Sequence, residues 1–129
     1  MLSLVCRSIS KMFTPTHEWV SISGNVATVG ISSYAAHHLG KLTYVDIPIG
    51  KSVKAGEEIC DIESIKTTSP IISPVTGKVI AANKSVIDKP ENVNRSPENE
   101  GWILKMEVSD PANSKLMSEE KYSEFLLSK

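Results

Sequence analysis

Aromatic side chains are scarce in this chain, 5% of 129 residues, and with 40% hydrophobic residues that balance is ordinary for a small β-rich globule of one domain. Cysteine is scarcer still. Cys6 and Cys60 make no disulfide framework, and a reduced interior fits them better. An excess of positive charge is missing too: 14 basic residues stand against 15 acidic ones, a net charge of −1, which supplies no basic surface of the kind a phosphate backbone demands. No apolar run approaches the ~20 residues needed to cross a bilayer. Nucleic acid and membrane are therefore not expected partners. The three histidines, His17, His37 and His38, lack metal-ligand spacing, and no serine stands in a nucleophile-elbow context, so hydrolytic and metal chemistry find little support.

What the chain has is two-residue alternation broken by turn residues. Trp19-Val20-Ser21-Ile22 and Val26-Ala27-Thr28-Val29 flank Gly24-Asn25, a hairpin with a two-residue loop that is expected to open a sheet edge. Ser32 or Ser33 caps a short helix through Leu39, ended by Gly40. Thr43 to Ile47 is a further strand, closed by Pro48 and Gly50. A faint echo follows: Gly50-Lys51-Ser52-Val53-Lys54-Ala55 is answered by Gly77-Lys78-Val79-Ile80-Ala81-Ala82. Asp88 to Glu100, polar and rich in proline and asparagine, reads as a surface loop, and Trp102 to Val108 as a returning strand. Asp110-Pro111 predicts one short C-terminal helix and Ser118-Glu119-Glu120 another, with Tyr122, Phe125 and Leu126 as the apolar stripe that packs on the body of the domain.

Between the echoed segments, Cys60 and Ile62 alternate with Asp61 and Glu63, so Cys60 falls on the buried phase as a small core residue. The period breaks at Ile65, hydroxyl residues follow Lys66, and a second apolar run begins at Ile71. Strand, tight bend and returning strand is the simplest account, with Lys66 at the bend. An unmodified lysine there is a solvated cation without catalytic poise. As a point of attachment it is well placed, because a modifying enzyme can engulf a hairpin tip.

Glu63-Ser64-Ile65-Lys66, together with Thr16-His17-Glu18-Trp19-Val20, Ala27-Thr28-Val29-Gly30-Ile31, Ser73-Pro74-Val75-Thr76-Gly77-Lys78-Val79, Val93-Asn94 and Glu100-Gly101-Trp102-Ile103, resembles the lipoyl-carrying H protein family of the glycine cleavage system. The resemblance runs from about Phe13 to about Leu127. It implies a mostly β fold, a flattened lipoyl/biotinyl-type barrel (a barrel-sandwich hybrid) with short helices, one at the C-terminus; the echo lies where that fold places its two related halves. It implies lipoic acid amide-linked to Lys66 within the motif set by Glu63 and Ser64. The implied role is a non-catalytic shuttle, expected to be monomeric. It takes an aminomethyl group from a pyridoxal-phosphate glycine decarboxylase, gives it to a folate-dependent aminomethyltransferase, is reoxidised by the flavin enzyme dihydrolipoyl dehydrogenase and is charged by a lipoate ligase or transferase. Glu18, with Thr16 before it, matches family positions that hold the loaded arm, and His38 is a further wall candidate. His17 reads as a packed or capping residue. Two departures stand out: Pro70 replaces an acid common four residues after the lysine, and Thr67 and Thr68 replace small residues.

Other carriers compete with this reading. Biotin domains flank their lysine with methionines, and this one has Ile65 and Thr67; a lipoyl domain of an acyltransferase is normally tethered to a catalytic core. A relay that hands lipoyl groups to other proteins needs the same lysine and stays open. Residues 1–12 differ from the remainder, carrying Arg7 and Lys11 as their only charges and three serines, a composition expected of a leader for a mitochondrion or hydrogenosome ahead of a carrier domain over 13–129. Removing Arg7 and Lys11 leaves 12 basic against 15 acidic residues, a charge of −3, suited to docking on basic patches of larger enzymes.

Overall fold

Alternating side chains need two sheets to bury their apolar faces against each other, and the chain provides both. The structure, a computed structural model, describes residues 11–110 and 116–127. In chain order the elements are β1 (Lys11–Phe13), β2 (Glu18–Ser23), β3 (Val26–Ile31), α1 (Ser33–Leu39), β4 (Leu42–Val45), β5 (Ser52–Val53), β6 (Glu58–Ser64), β7 (Thr68–Ile72), β8 (Thr76–Ala82), α2 (Lys84–Asp88), α3 (Glu91–Arg95), β9 (Leu104–Asp110), β10 (Met117–Ser118) and α4 (Glu119–Leu127). Seven strands form one sheet in the order β10-β1-β2-β3-β9-β8-β5, and β4-β6-β7 form a second. One core joins them: Val20, Val29, Val79 and Leu104 of the larger sheet cluster with Leu42, Ile62 and Ile71 of the smaller. The expected barrel-sandwich architecture is thus present, with the short helices at its margins.

The echoed segments pair with each other. Ser52 lies opposite Lys78 and Val53 opposite Gly77, antiparallel, and the register continues as Val79 N–H donates to Lys51 O at 2.9 Å. Lys51 occupies the same place in its copy as Lys78 does in the other. A two-fold exchange of the copies therefore maps the Ser52–Lys78 pair onto the Val79–Lys51 pair, as related half-barrels require. Gly77 is needed here for space, since a Cβ would collide with the Glu107 carbonyl of β9.

The Gly24-Asn25 hairpin forms as expected, with Ser23 opposite Val26. Its strands are interior, however; β1 and β9 cover them and the rims are β10 and β5. The stretch read as a loop from Asp88 to Glu100 contains α3, with α2 just ahead of it. Five-residue helices are too short to show a period; each is anchored by one valine, Val86 and Val93, both fully buried. The helix expected from Asp110-Pro111 falls mostly outside the described residues, and Asp110 ends β9. The other C-terminal helix forms as α4, and Tyr122 stacks on Phe13 with ring centroids 4.5 Å apart while Phe125 and Leu126 pack beside it. Of the stretch read as a leader, Lys11 and Met12 are strand residues paired with Ser21 and Val20, and residues 1–10 lie outside the described residues.

Candidate functional site

β6 and β7 carry the hairpin, closed by the Glu63–Thr68 pair. Ser64 N–H donates to Thr67 O at 2.8 Å, and Ser64 Oγ accepts from the N–H groups of both Lys66 and Thr67 at 3.1 Å. A serine oxygen that takes two main-chain donors fixes a tight turn. Ile65 and Lys66 are left as a two-residue tip, with Ile65 67% exposed. The tip is docked on the end of α1: Ile65 N–H donates to Lys41 O at 3.0 Å and Lys66 Nζ to His38 O at 3.4 Å. Unpaired carbonyls at a helix end favour a cation. Gly40 opens the seat for that side chain, since its φ of +77° suits glycine and a Cβ there would stand 3.3 Å from Lys66 Cε.

α1 itself is held in place from behind. Asn94 of α3 accepts from Leu42 N–H at 2.9 Å and donates to Gly40 O at 2.7 Å, so one amide clamps the α1–β4 corner under the lysine. Sequence patterning gave Val93-Asn94 only as a family-like pair; nothing in periodicity marks the asparagine as a clamp.

A cleft of about 170 Å³ lies between α1 and the smaller sheet, lined by Thr16, His17, Glu18, Ile31, Tyr34, Ala35, His38, Leu39, Ile62, Ser69 and Pro70. Three of the expected residues, Thr16, Glu18 and His38, therefore share one site, and His38 also touches Lys66 through its carbonyl. Glu63 and Ser64 are absent from this lining: Ser64 locks the turn, and exposed Glu63 lies on β6 with its carbonyl accepting from Thr43 Oγ1 at 3.2 Å. The alternative of Glu18 as a surface charge is overturned, because it is 2% exposed. Its carboxylate accepts from Thr14 Oγ1 at 2.8 Å, from Thr16 Oγ1, and from Ile72 N–H at 3.1 Å, which ties the two sheets together. Burial pushes the carboxyl above 4.5, against the opposing pull of the Thr16 hydroxyl, the Ile72 N–H and the Thr14 hydroxyl. Pro70 contributes an apolar wall from β7, a rim strand where proline is tolerated.

Cys60 packs against the core as expected, though without being fully enclosed. A bulge between Glu58 and Cys60 breaks the alternation, so Ile59 and Ile62 are the buried residues and Cys60 is half-buried. Burial, with Asp46 and Asp61 nearby, pushes its thiol up to about 12, away from a reactive thiolate. His17, as expected, is packed: its ring lies 4.6 Å from that of Tyr34 and its Nδ1 is 2.7 Å from the Tyr122 hydroxyl. Among the described residues no cluster of His, Cys, Asp and Glu could hold a metal ion.

The chain matches known proteins along most of its length. Residues 11–129 match the family model of the glycine cleavage H-protein. The chain belongs to that family. A glycine cleavage system H protein of Thermotoga maritima is 45% identical over 117 residues, covering 89% of this chain and 94% of that one. Glycine cleavage system H protein 2, mitochondrial, of Arabidopsis thaliana is 47% identical over 115 residues, covering 88% and 74%. The crystal structure of a glycine cleavage system H protein from Mycobacterium marinum superposes with a TM-score of 0.82 at 29% identity, covering 90% of this chain and 95% of that one. Members of the H-protein family serve glycine cleavage as lipoyl carriers.

Proposed function

We propose that Lys66 is the lipoyl attachment site and that this chain shuttles glycine's aminomethyl group between the enzymes of glycine cleavage without catalysing a step itself. The observation that carries this reading is the tip geometry: an exposed primary amine on a two-residue turn, locked by Ser64 and seated over Gly40, where a ligase can take it into its own active site. The residues fit the group. An amide N–H at Nζ can donate to His38 O as the ammonium does, and the cleft beside it combines Ile31, Leu39, Ile62 and Pro70 with Thr16 and Glu18. When bound, the lipoyl group would supply a cyclic disulfide that opens to take up the one-carbon unit on one sulfur and that is left as a dithiol, to be reoxidised, once the unit has been passed on. The chain's own residues do the rest. Ser64 and Lys41 keep the tip in register, Gly40 leaves the arm free to lie down, and apolar cleft walls exclude water. Glu18, with Thr16 beside it, offers an acceptor for an ammonium group.

Partners follow from this role: a pyridoxal-phosphate decarboxylase, a folate-dependent aminomethyltransferase, dihydrolipoyl dehydrogenase and a lipoate ligase or transferase. Eukaryotic relatives with mitochondrial names accompany bacterial ones. An import leader ending before Lys11 is part of the same proposal, since β1 needs Lys11 and Met12. Intact mass after incubation with a lipoate ligase, ATP and lipoate tests the attachment: one lipoyl adduct on the wild type and none on Lys66→Arg. An adduct of equal yield on the variant refutes the assignment.

A further inference from the structure

Three side chains from distant parts of the chain meet behind the cleft. Tyr122 of α4, 5% exposed, places its hydroxyl 2.7 Å from His17 Nδ1 and 2.8 Å from Ser32 Oγ. Ser32 caps α1, its Oγ accepting from Ala35 N–H at 3.2 Å. Both contacts lead to the cleft, because His17 lines it directly and α1 supplies Tyr34, Ala35, His38 and Leu39.

The polarity of this chain of bonds can be worked out. A main-chain N–H only donates, so Ser32 Oγ is an acceptor toward Ala35. Ser32 is fully buried, and a buried hydroxyl proton left without an acceptor is costly. Among the described residues the acceptor placed for it is the Tyr122 oxygen. The Tyr122 proton is then directed to the remaining neighbour, His17 Nδ1, which must present a lone pair. Burial, first among the causes, raises the Tyr122 hydroxyl above 10, so it keeps the proton it donates.

His17 needs such a hold. It sits at φ +74°, the one non-glycine residue with positive φ among those described, a conformation that surrounding contacts must maintain. Its ring touches Tyr34, whose ring in turn lies 4.2 Å from that of His38, so the orientation of His17 is passed along the wall.

We propose that Tyr122 is a positioning residue: its hydroxyl fixes His17 as the Nε2–H tautomer and secures the cap of α1, so that the C-terminal helix sets the wall of the arm-sheltering cleft. The sheltering part rests on the function proposed above; the tautomer does not.

The test uses the full chain as wild type, Tyr122→Phe, which keeps the stack on Phe13, and Val79→Ala, a core truncation outside the cleft lining. Long-range ¹⁵N–¹H spectra of His17 are expected to show an unprotonated Nδ1 in the wild type and in Val79→Ala, and a growing share of Nδ1–H in Tyr122→Phe. A proton on Nδ1 in the wild type, or unchanged ring nitrogens in Tyr122→Phe, overturns the proposal. The lipoylated proteins are then loaded from glycine by the decarboxylase, and formaldehyde release is followed as water hydrolyses the adduct to formaldehyde, ammonia and the free dithiol. Losing one buried hydrogen bond should speed release roughly three- to tenfold in Tyr122→Phe and leave Val79→Ala at the wild-type rate. Wild-type protection in Tyr122→Phe refutes the role in shelter. Release from the folded wild type as fast as from urea-unfolded protein refutes the shelter reading itself, with the tautomer result left to stand or fall by the spectra.

Discussion

Glu18 shows at the scale of one residue how a charge can be legible as important while its environment is not. Its match, with Thr16, to family positions that hold the loaded arm pointed to the cleft. Its burial did not follow from the sequence, since it depends on Ile72 N–H, 54 positions away, closing over the carboxylate. Lys66 was readable because the alternation fails around it, whereas Tyr122 read as packing only because its hydroxyl partners, His17 and Ser32, are 105 and 90 positions distant. Held above 4.5 chiefly by burial, Glu18 binds a proton more tightly in the fold than in the unfolded chain. Its contribution therefore lowers stability as pH rises from 4.5 through its folded value, then levels off. Denaturant titrations at stepped pH should show this decline in the wild type and not in Glu18→Gln, with the variant gaining on the wild type across that window. Parallel pH profiles for the two proteins would contradict it.

Among the elements, those with internal rhythm were recoverable and those fixed by single anchors were not. The β2–β3 hairpin and α1 announced themselves through Gly24-Asn25, Ser32 and Gly40, while α2 and α3 emerge only when Val86 and Val93 enter the core. In the strand carrying Cys60 the expected phase holds from Cys60 to Glu63, but the burial of Ile59 was missed because a bulge is invisible to a strict two-residue period. The end of α1 is where structure and modification meet. Gly40 combines φ +77° with ψ −162°, a region nearly restricted to glycine, and lies under the lysine side chain. Gly40→Ala is expected to cost about 1–3 kcal/mol of stability and to slow acylation of Lys66 by a lipoate ligase. Urea denaturation and mass-resolved lipoylation kinetics measure the two effects separately; an unchanged acylation rate would show that the seat is irrelevant to presentation.

For the whole molecule, the barrel-sandwich was foreseeable from the family resemblance, with the echo in keeping with it, but the sheet order was not. The hairpin expected at an edge became central because β1, only three residues long, and β9, from the far end of the chain, add on either side of it. That arrangement makes the N-terminal boundary a stability matter. Compared with a chain starting at Lys11, one starting at Thr14 loses β1 and the Phe13–Tyr122 stack, a loss of about 3–5 kcal/mol judged from removal of a buried phenylalanine. Calorimetry on the two truncations distinguishes them, and equal melting temperatures would mean that β1 contributes nothing.

The outer rim of the smaller sheet has a further consequence. Residues two apart on a strand point their N–H groups the same way, so Pro70 and Ile72 of β7 share the side that faces away from β6. Proline has no proton to give there, and Glu18 has already claimed the one on Ile72. A visiting polypeptide that tried to extend this sheet by zipping alongside would find no donor at these two positions. Encounters along that border therefore lean on side chains and on whatever hangs from the hairpin more than on main-chain pairing.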